Sequence, residues 1–227
     1  MCGRFTLTEL DPAVLTETFF LGGGVPNLPP RYNIAPTQPV ATVVRDVEHG
    51  DNRLVLMRWG LIPHWAKDPK IGNKLINARG ETVHEKPSFR AALRRRRCLI
   101  VADGFYEWQA QPDGPKQPMY ITLVDHQPFG FAGLWEQWTE PDSGDTLTTC
   151  TIITTSPNAL LKPIHNRMPV ILPREDYAAW LDPERSDPAQ VMPLLRPYPA
   201  ERMTAYPVSR RVNAPTFDDP SLIERAG

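Results

Sequence analysis

A cysteine at position 2, directly behind the initiator methionine, is the residue whose placement first suggests chemistry. Removal of Met1 would leave one residue carrying an α-amine, with a reference pKa of about 7.7–8.0, and a thiol, at about 8.5. Both nucleophilic forms are then accessible near neutral pH. Such a 1,2-aminothiol adds to an aldehyde twice: the amine condenses to a Schiff base, and the thiol closes a five-membered thiazolidine. A cysteine on a frayed terminus is the competing reading. Three further stretches carry groups that could serve the reaction. Asn77 and Arg79 place an amide and a guanidinium in a turn-like segment, and Glu107 lies between Tyr106 and Trp108 behind an apolar run. A carboxyl among aromatics is partly desolvated, so its pKa rises toward the range useful for proton transfer. His165, between Ile164 and Asn166, supplies the natural acid–base group at pH 7. Each also has a bland role: Glu107 pairing with an arginine, His165 packed in the core, Asn77 capping a helix.

These groups need elements to hold them. Asp11 to Leu21 reads as a short helix with Pro12 in its first turn. Val40 to Val47 and Arg53 to Trp59 read as strands joined through a His49-Gly50-Asp51-Asn52 turn. Ser88 to Arg97 reads as a helix capped by Ser88, followed by a buried strand from Cys98 to Ala102 that continues toward Trp108. Strands are expected at 119–124, 129–138 and 147–155, and short helices at 156–161 and 174–181. No regular βαβ rhythm and no repeat is present. The pattern predicts an α+β fold with a mainly antiparallel, barrel-like sheet and short helices, in one domain spanning 1–227. The 26 prolines, about twice the usual ~5% share, argue against long helices.

Composition narrows the partners. The 25 Lys+Arg and 26 Asp+Glu nearly cancel, but unevenly. Arg58 to Arg97 holds eleven basic and three acidic residues, a balance of +8, whereas Val101 to Asp145 holds eight acidic and one basic. This asymmetry points to a nucleic-acid face, although the Arg94–Arg97 run reads equally well as a solvated helix end. Cysteines at 2, 98 and 150 form no CxxC pair, so no metal site and no disulfide framework are expected. The glycines at 22–24 lack the Gly-Lys-Ser/Thr ending of a phosphate loop. No apolar run approaches a membrane span and the N-terminal residues show no charged-then-apolar signal pattern, so a soluble, cytoplasmic protein is expected.

Seven ordered motifs carry a resemblance: MCGRF at 1–5, RYNIAP at 31–36, WGLIPHW at 59–65, NARGET at 77–82, ADGFYEW at 102–108, IHNRMP at 164–169 and YPVSRRVN at 206–213. Together they resemble the SRAP family of SOS response-associated peptidases, or abasic-site processing proteins. The resemblance implies the SRAP fold and a protein that loses Met1 and crosslinks itself to abasic sites in single-stranded DNA. Cys2 would be the nucleophile and Asn77 would position the sugar. Glu107 would orient or deprotonate the amine and pass protons, and His165 would open the deoxyribose and support reversal. Arg4, Arg79 and Arg167 match phosphate-contacting positions, Trp65 and Pro36 match loops that part or stack bases, and Asn33 is a further DNA contact. No cofactor and no metal are implied. A monomer suffices, associated with the nucleoid when on DNA. Two alternatives remain open: an N-terminal-nucleophile cysteine peptidase that removes Met1, and a non-covalent single-strand-binding module. The +8 segment with Trp59 and Trp65 supplies the cations and apolar platforms that a single-strand binder needs.

Overall fold

Residues 39–46 and 51–59 pair antiparallel from Pro39↔Arg58 to Asp46↔Asp51 and build a hairpin that two further strands flank. The structure, a computed structural model, describes residues 2–226. In chain order the strands are β1 (Phe5–Leu7), β2 (Arg31–Ile34), β3 (Pro39–Asp46), β4 (Asp51–Trp59), β5 (Asn77–Arg79), β6 (Arg97–Ala102), β7 (Gly104–Gln109), β8 (Gln117–Leu123), β9 (Phe129–Thr139), β10 (Thr146–Thr155), β11 (Met168–Pro169), β12 (Ile171–Leu172) and β13 (Met203–Pro207). Among the described residues four short α-helices accompany them: α1 (Pro12–Phe19), α2 (Arg90–Arg95), α3 (Tyr177–Leu181) and α4 (Pro188–Val191).

Five strands close a ring in the order β3, β4, β10, β9, β6 and back to β3. Closure removes exposed edges. Four of the seams are antiparallel; β4 and β10 meet in parallel, at Arg58 and Trp59 against Thr149 and Cys150. After Trp59 the chain leaves the barrel, loops through 60–76 and returns as β5, which takes over the parallel pairing to β10. A second, antiparallel sheet runs β13-β8-β7-β1-β2. Phe5 of β1 joins the two layers, its ring 5.1 Å from Trp59 and 5.8 Å from Phe131. The α+β, barrel-like expectation holds.

Local expectations diverge where tertiary contacts decide. The run from Cys98 to Trp108 is two strands in two sheets, broken at Asp103. That carboxylate accepts hydrogen bonds from the Thr8 hydroxyl and the Glu9 amide, both at 2.8 Å, and from the Thr6 hydroxyl and the Thr8 amide. Gly104 must follow, because a Cβ there would lie 2.1 Å from the Tyr120 hydroxyl oxygen. Ser88 does not cap α2: the helix starts at Arg90, with no side-chain cap. Residues 156–161 form turns, not a helix, because the Asn158 side chain accepts from the Leu161 amide at 2.9 Å and donates to Tyr198 O at 2.7 Å. The helix expected at 174–181 divides into a 3₁₀ turn (Arg174–Asp176) and α3.

Candidate active site and nucleic-acid face

Cys2 reaches its place through β1. The register Phe5↔Phe105 and Thr6↔Gly104 sets the chain antiparallel to β7, and the Tyr106 amide donates to Arg4 O at 3.0 Å. Asp103 pins the far end of that strand through residues 6–9, so the position of Cys2 is inherited from a buried carboxylate. Cys2 is fully buried. Its carbonyl accepts from Asn77 Nδ2 at 2.8 Å, and its Sγ lies 3.8 Å from Arg4 O. Burial, reinforced by the charge of Glu107, raises the thiol well above its ordinary value. The sulfur is thus held protonated beside a carboxylate.

Asn77 opens β5, paired with Ile152 of β10, and is neither in a turn nor capping a helix. While Nδ2 holds Cys2, Oδ1 is buried with no hydrogen-bond partner among the described residues. Glu107, on β7 opposite Met119, is 2% exposed, and burial lifts its carboxyl to about 7. Its Oε2 lies 4.0 Å from His165 Nε2. His165 sits on the loop before β11, which Gln109 ties to the end of β7 by donating to Pro163 O at 3.2 Å. The Arg167 amide donates to His165 Nδ1 at 3.0 Å. Nδ1 also lies 3.2 Å from Arg167 O, so the Arg167 backbone can satisfy it in either tautomer, and Nε2 is the nitrogen that faces Glu107. Burial lowers the imidazole's pKa, favouring the neutral ring at pH 7. The four residues singled out for chemistry therefore converge: Cys2 on Asn77 and Glu107, and Glu107 on His165.

The cations divide by surroundings. Arg4 is partly buried; its Nη1 donates to Gly3 O at 3.0 Å, and its Nε has no partner among the described residues. Arg79 is exposed at the end of β5. Arg167 forms a fork with Glu81, at 2.6 and 2.9 Å. The Arg94–Arg97 run does not act as one patch. Arg94 and Arg95 are exposed, and Arg96 binds Glu136 at 2.8 Å. Arg97 is 4% exposed, with Nε donating to Trp180 O at 2.6 Å and Nη1 to Leu93 O at 2.7 Å.

Trp65 is 51% exposed on the 60–76 loop. A small core of its own stiffens that loop: Ile62, Ala66 and Trp138, with the Trp138 indole donating to Ala66 O at 2.7 Å. Gly60, at φ 121°, passes so close to Gly72 that a Cβ would meet Gly72 O at 2.7 Å. Pro36 is partly exposed just after β2. Asn33 is placed differently from the expectation. It is fully buried, and its Nδ2 donates to Val212 O, Ala214 O and Phe217 O at 2.8–3.2 Å. It straps the carboxy-terminal segment to β2 and offers no face to a strand of DNA. Sequence reasoning also passed over Asp103, Glu81 and the Trp108 indole, which donates to Asn213 Oδ1 at 2.7 Å beside Glu107. All lie inside the quoted motifs, where only their neighbours had drawn a role. Among the described residues no group of three or more His, Cys, Asp or Glu side chains could hold a metal ion, and no helix is long and apolar enough to cross a membrane.

The closed five-stranded barrel with this corner defines the class. The family described as "SOS response associated peptidase (SRAP)" matches residues 1–215, and the chain belongs to that family. It is 51% identical over 227 residues, 99% of each chain, to the abasic site processing protein YoqW of Bacillus subtilis (strain 168). It is 34% identical over 212 residues to the abasic site processing protein HMCES of Xenopus tropicalis, covering 81% of this chain and 62% of that one. A crystal structure of a protein from Bacteroides thetaiotaomicron superposes with a TM-score of 0.87 at 29% identity, covering 99% of this chain and 100% of the other.

Proposed function

We propose that this protein processes abasic sites by binding single-stranded DNA and trapping the lesion as a thiazolidine on Cys2. The observation that carries the reading is the buried Glu107 carboxyl, with a pKa near 7, between the Cys2 corner and His165. The chemistry requires removal of Met1, because an amide nitrogen cannot form an imine. The freed amine attacks the aldehyde of the ring-opened sugar and water leaves, giving the Schiff base. The Cys2 S–H then adds across the C=N bond: sulfur bonds to the former aldehyde carbon, and the proton ends on nitrogen. A buried thiol is a poor nucleophile until deprotonated. Glu107, half ionised near neutral pH, can take that proton and return it to nitrogen. His165, with Nε2 facing the same carboxylate, suits opening of the closed sugar and reversal of the adduct. Asn77 Oδ1, an acceptor without a partner among the described residues, fits a sugar hydroxyl.

Arg4, Arg79 and Arg167 surround this corner as phosphate donors, and Trp65 on its stiff loop, with Pro36, offers a surface for bases. An abasic nucleotide has no base to unstack, so drawing its sugar into the corner costs less than extruding an intact nucleotide. One chain per lesion is sufficient.

The test is an oligonucleotide with one abasic site, incubated with protein whose intact mass shows loss of Met1, then heated in detergent. A heat-stable band that requires the lesion supports the reading. Binding without such a band identifies a non-covalent module instead. A chain that sheds Met1 by itself but leaves no band supports the peptidase alternative.

A further inference from the structure

The fork of Arg167 is already filled. Glu81 Oε1 and Oε2 accept from Nη1 and Nη2 at 2.6 and 2.9 Å, a bidentate geometry that a phosphate would use equally well. We propose that Glu81 is a built-in phosphate substitute: it occupies Arg167 in the free protein and gives way to a DNA phosphate, weakening the hold on strands that carry no lesion. This rests on the reading of Arg167 as a phosphate contact.

Three observations support exchange over a fixed structural pair. Arg167 is anchored without Glu81: Nη2 donates to Thr154 O at 2.7 Å and lies 3.2 Å from Thr154 Oγ1, and the backbone amide holds His165. The guanidinium therefore stays in place when its carboxylate leaves. Glu81 is half exposed, on the short turn Gly80–Thr82, so it can swing away with little reorganisation. Arg79 stands two residues before it, which sets the carboxylate between two proposed phosphate donors. Only the Glu81 side of the pair is open to solvent: Arg167 is 17% exposed, so once the carboxylate swings away the guanidinium needs another anion, and a phosphate supplies it. The consequence suits a protein whose selectivity comes from a covalent step: intact strands are released and aldehydes are kept.

The measurement is fluorescence anisotropy with a labelled, lesion-free oligothymidine over a range of salt concentrations. It uses Glu81→Gln, Arg167→Ala, the double variant and Glu85→Gln, an exposed carboxylate nearby that serves as the charge control. Glu81→Gln is expected to tighten binding by roughly two- to fivefold and to steepen the salt slope by up to about 0.7. The gain is expected to exceed that of Glu85→Gln and to shrink to the level of that control when Arg167 is also Ala. Weaker binding in Glu81→Gln, or a gain that persists without Arg167, overturns the proposal and leaves the DNA reading intact. If Arg167→Ala leaves affinity and salt slope unchanged, Arg167 is no phosphate contact, and the proposal falls with that reading.

Discussion

Strand β7 and the residue just before it carry two buried carboxylates, Asp103 and Glu107, that put burial to different uses. Asp103 accepts from two backbone amides and two hydroxyls, which fix residues 6–9 and hence the path to Cys2. Glu107 is more deeply buried, and desolvation lifts it to about 7. A carboxylate saturated by donors becomes a structural joint. One for which desolvation outweighs the stabilising contacts becomes a group that changes protonation at physiological pH. Burial alone distinguishes neither; the surrounding donors do.

The largest effect expected from this contrast is on rate. Glu107→Gln keeps the shape and removes proton transfer, so crosslink formation should slow by roughly 10²–10⁴-fold, measured as appearance of heat-stable adduct. His165→Ala should slow formation by roughly 10²-fold at most, because the aminothiol is itself reactive, and should also retard transfer of the adduct to a competitor strand. Wild-type transfer in that variant would return His165 to a packing role.

Asp103→Ala should do the opposite, weakening the fold more than the chemistry. It leaves the Thr8 and Glu9 amides without their acceptor, a loss of about 2–4 kcal/mol in urea unfolding. Per folded molecule it should slow crosslinking less than Glu107→Gln does. The reverse order would erase the distinction.

The pH dependence of stability sharpens the contrast further. Glu107 has its folded pKa near 7 against an ordinary 4.5, so the folded state holds the proton more tightly. Stability should therefore fall as pH rises from about 4.5 to about 7, and then level. Glu107→Gln lacks that loss, so it should be about 1–3 kcal/mol more stable than wild type at pH 8 and nearly equal to it at pH 4.5. The smallest expected effect is at the surface: Arg79→Ala should weaken single-strand binding a few-fold and flatten its salt dependence by about 0.7.

Much of this was legible in the sequence, for physical reasons. The β3–β4 hairpin showed itself through two strand-like runs and the turn between them, and α1 through Asp11 and Pro12, because local energetics decide both. The Cys2, Glu107 and His165 neighbourhoods stood out by residue type and motif. What stayed hidden depends on distant partners. β1, β5 and β13 are three to five residues long and exist because neighbouring strands pair with them. Asn77 looked like part of a turn until β10 made it part of a strand. Arg97 looked like part of a cationic run, and Asn33 like a DNA contact, because carbonyls some 85 and 180 residues away in sequence determine their real use.

Bond formation by Cys2, amine and thiol together, is the step on which the proposed function turns. It is tested most directly by heating adducts on an abasic single strand in detergent, with and without borohydride, for wild type and Cys2→Ala. The wild-type adduct should survive untrapped. Cys2→Ala, which keeps a free α-amine, should yield a surviving band only when borohydride reduces the Schiff base. An untrapped adduct of Cys2→Ala as abundant and heat-stable as the wild-type one would contradict the account.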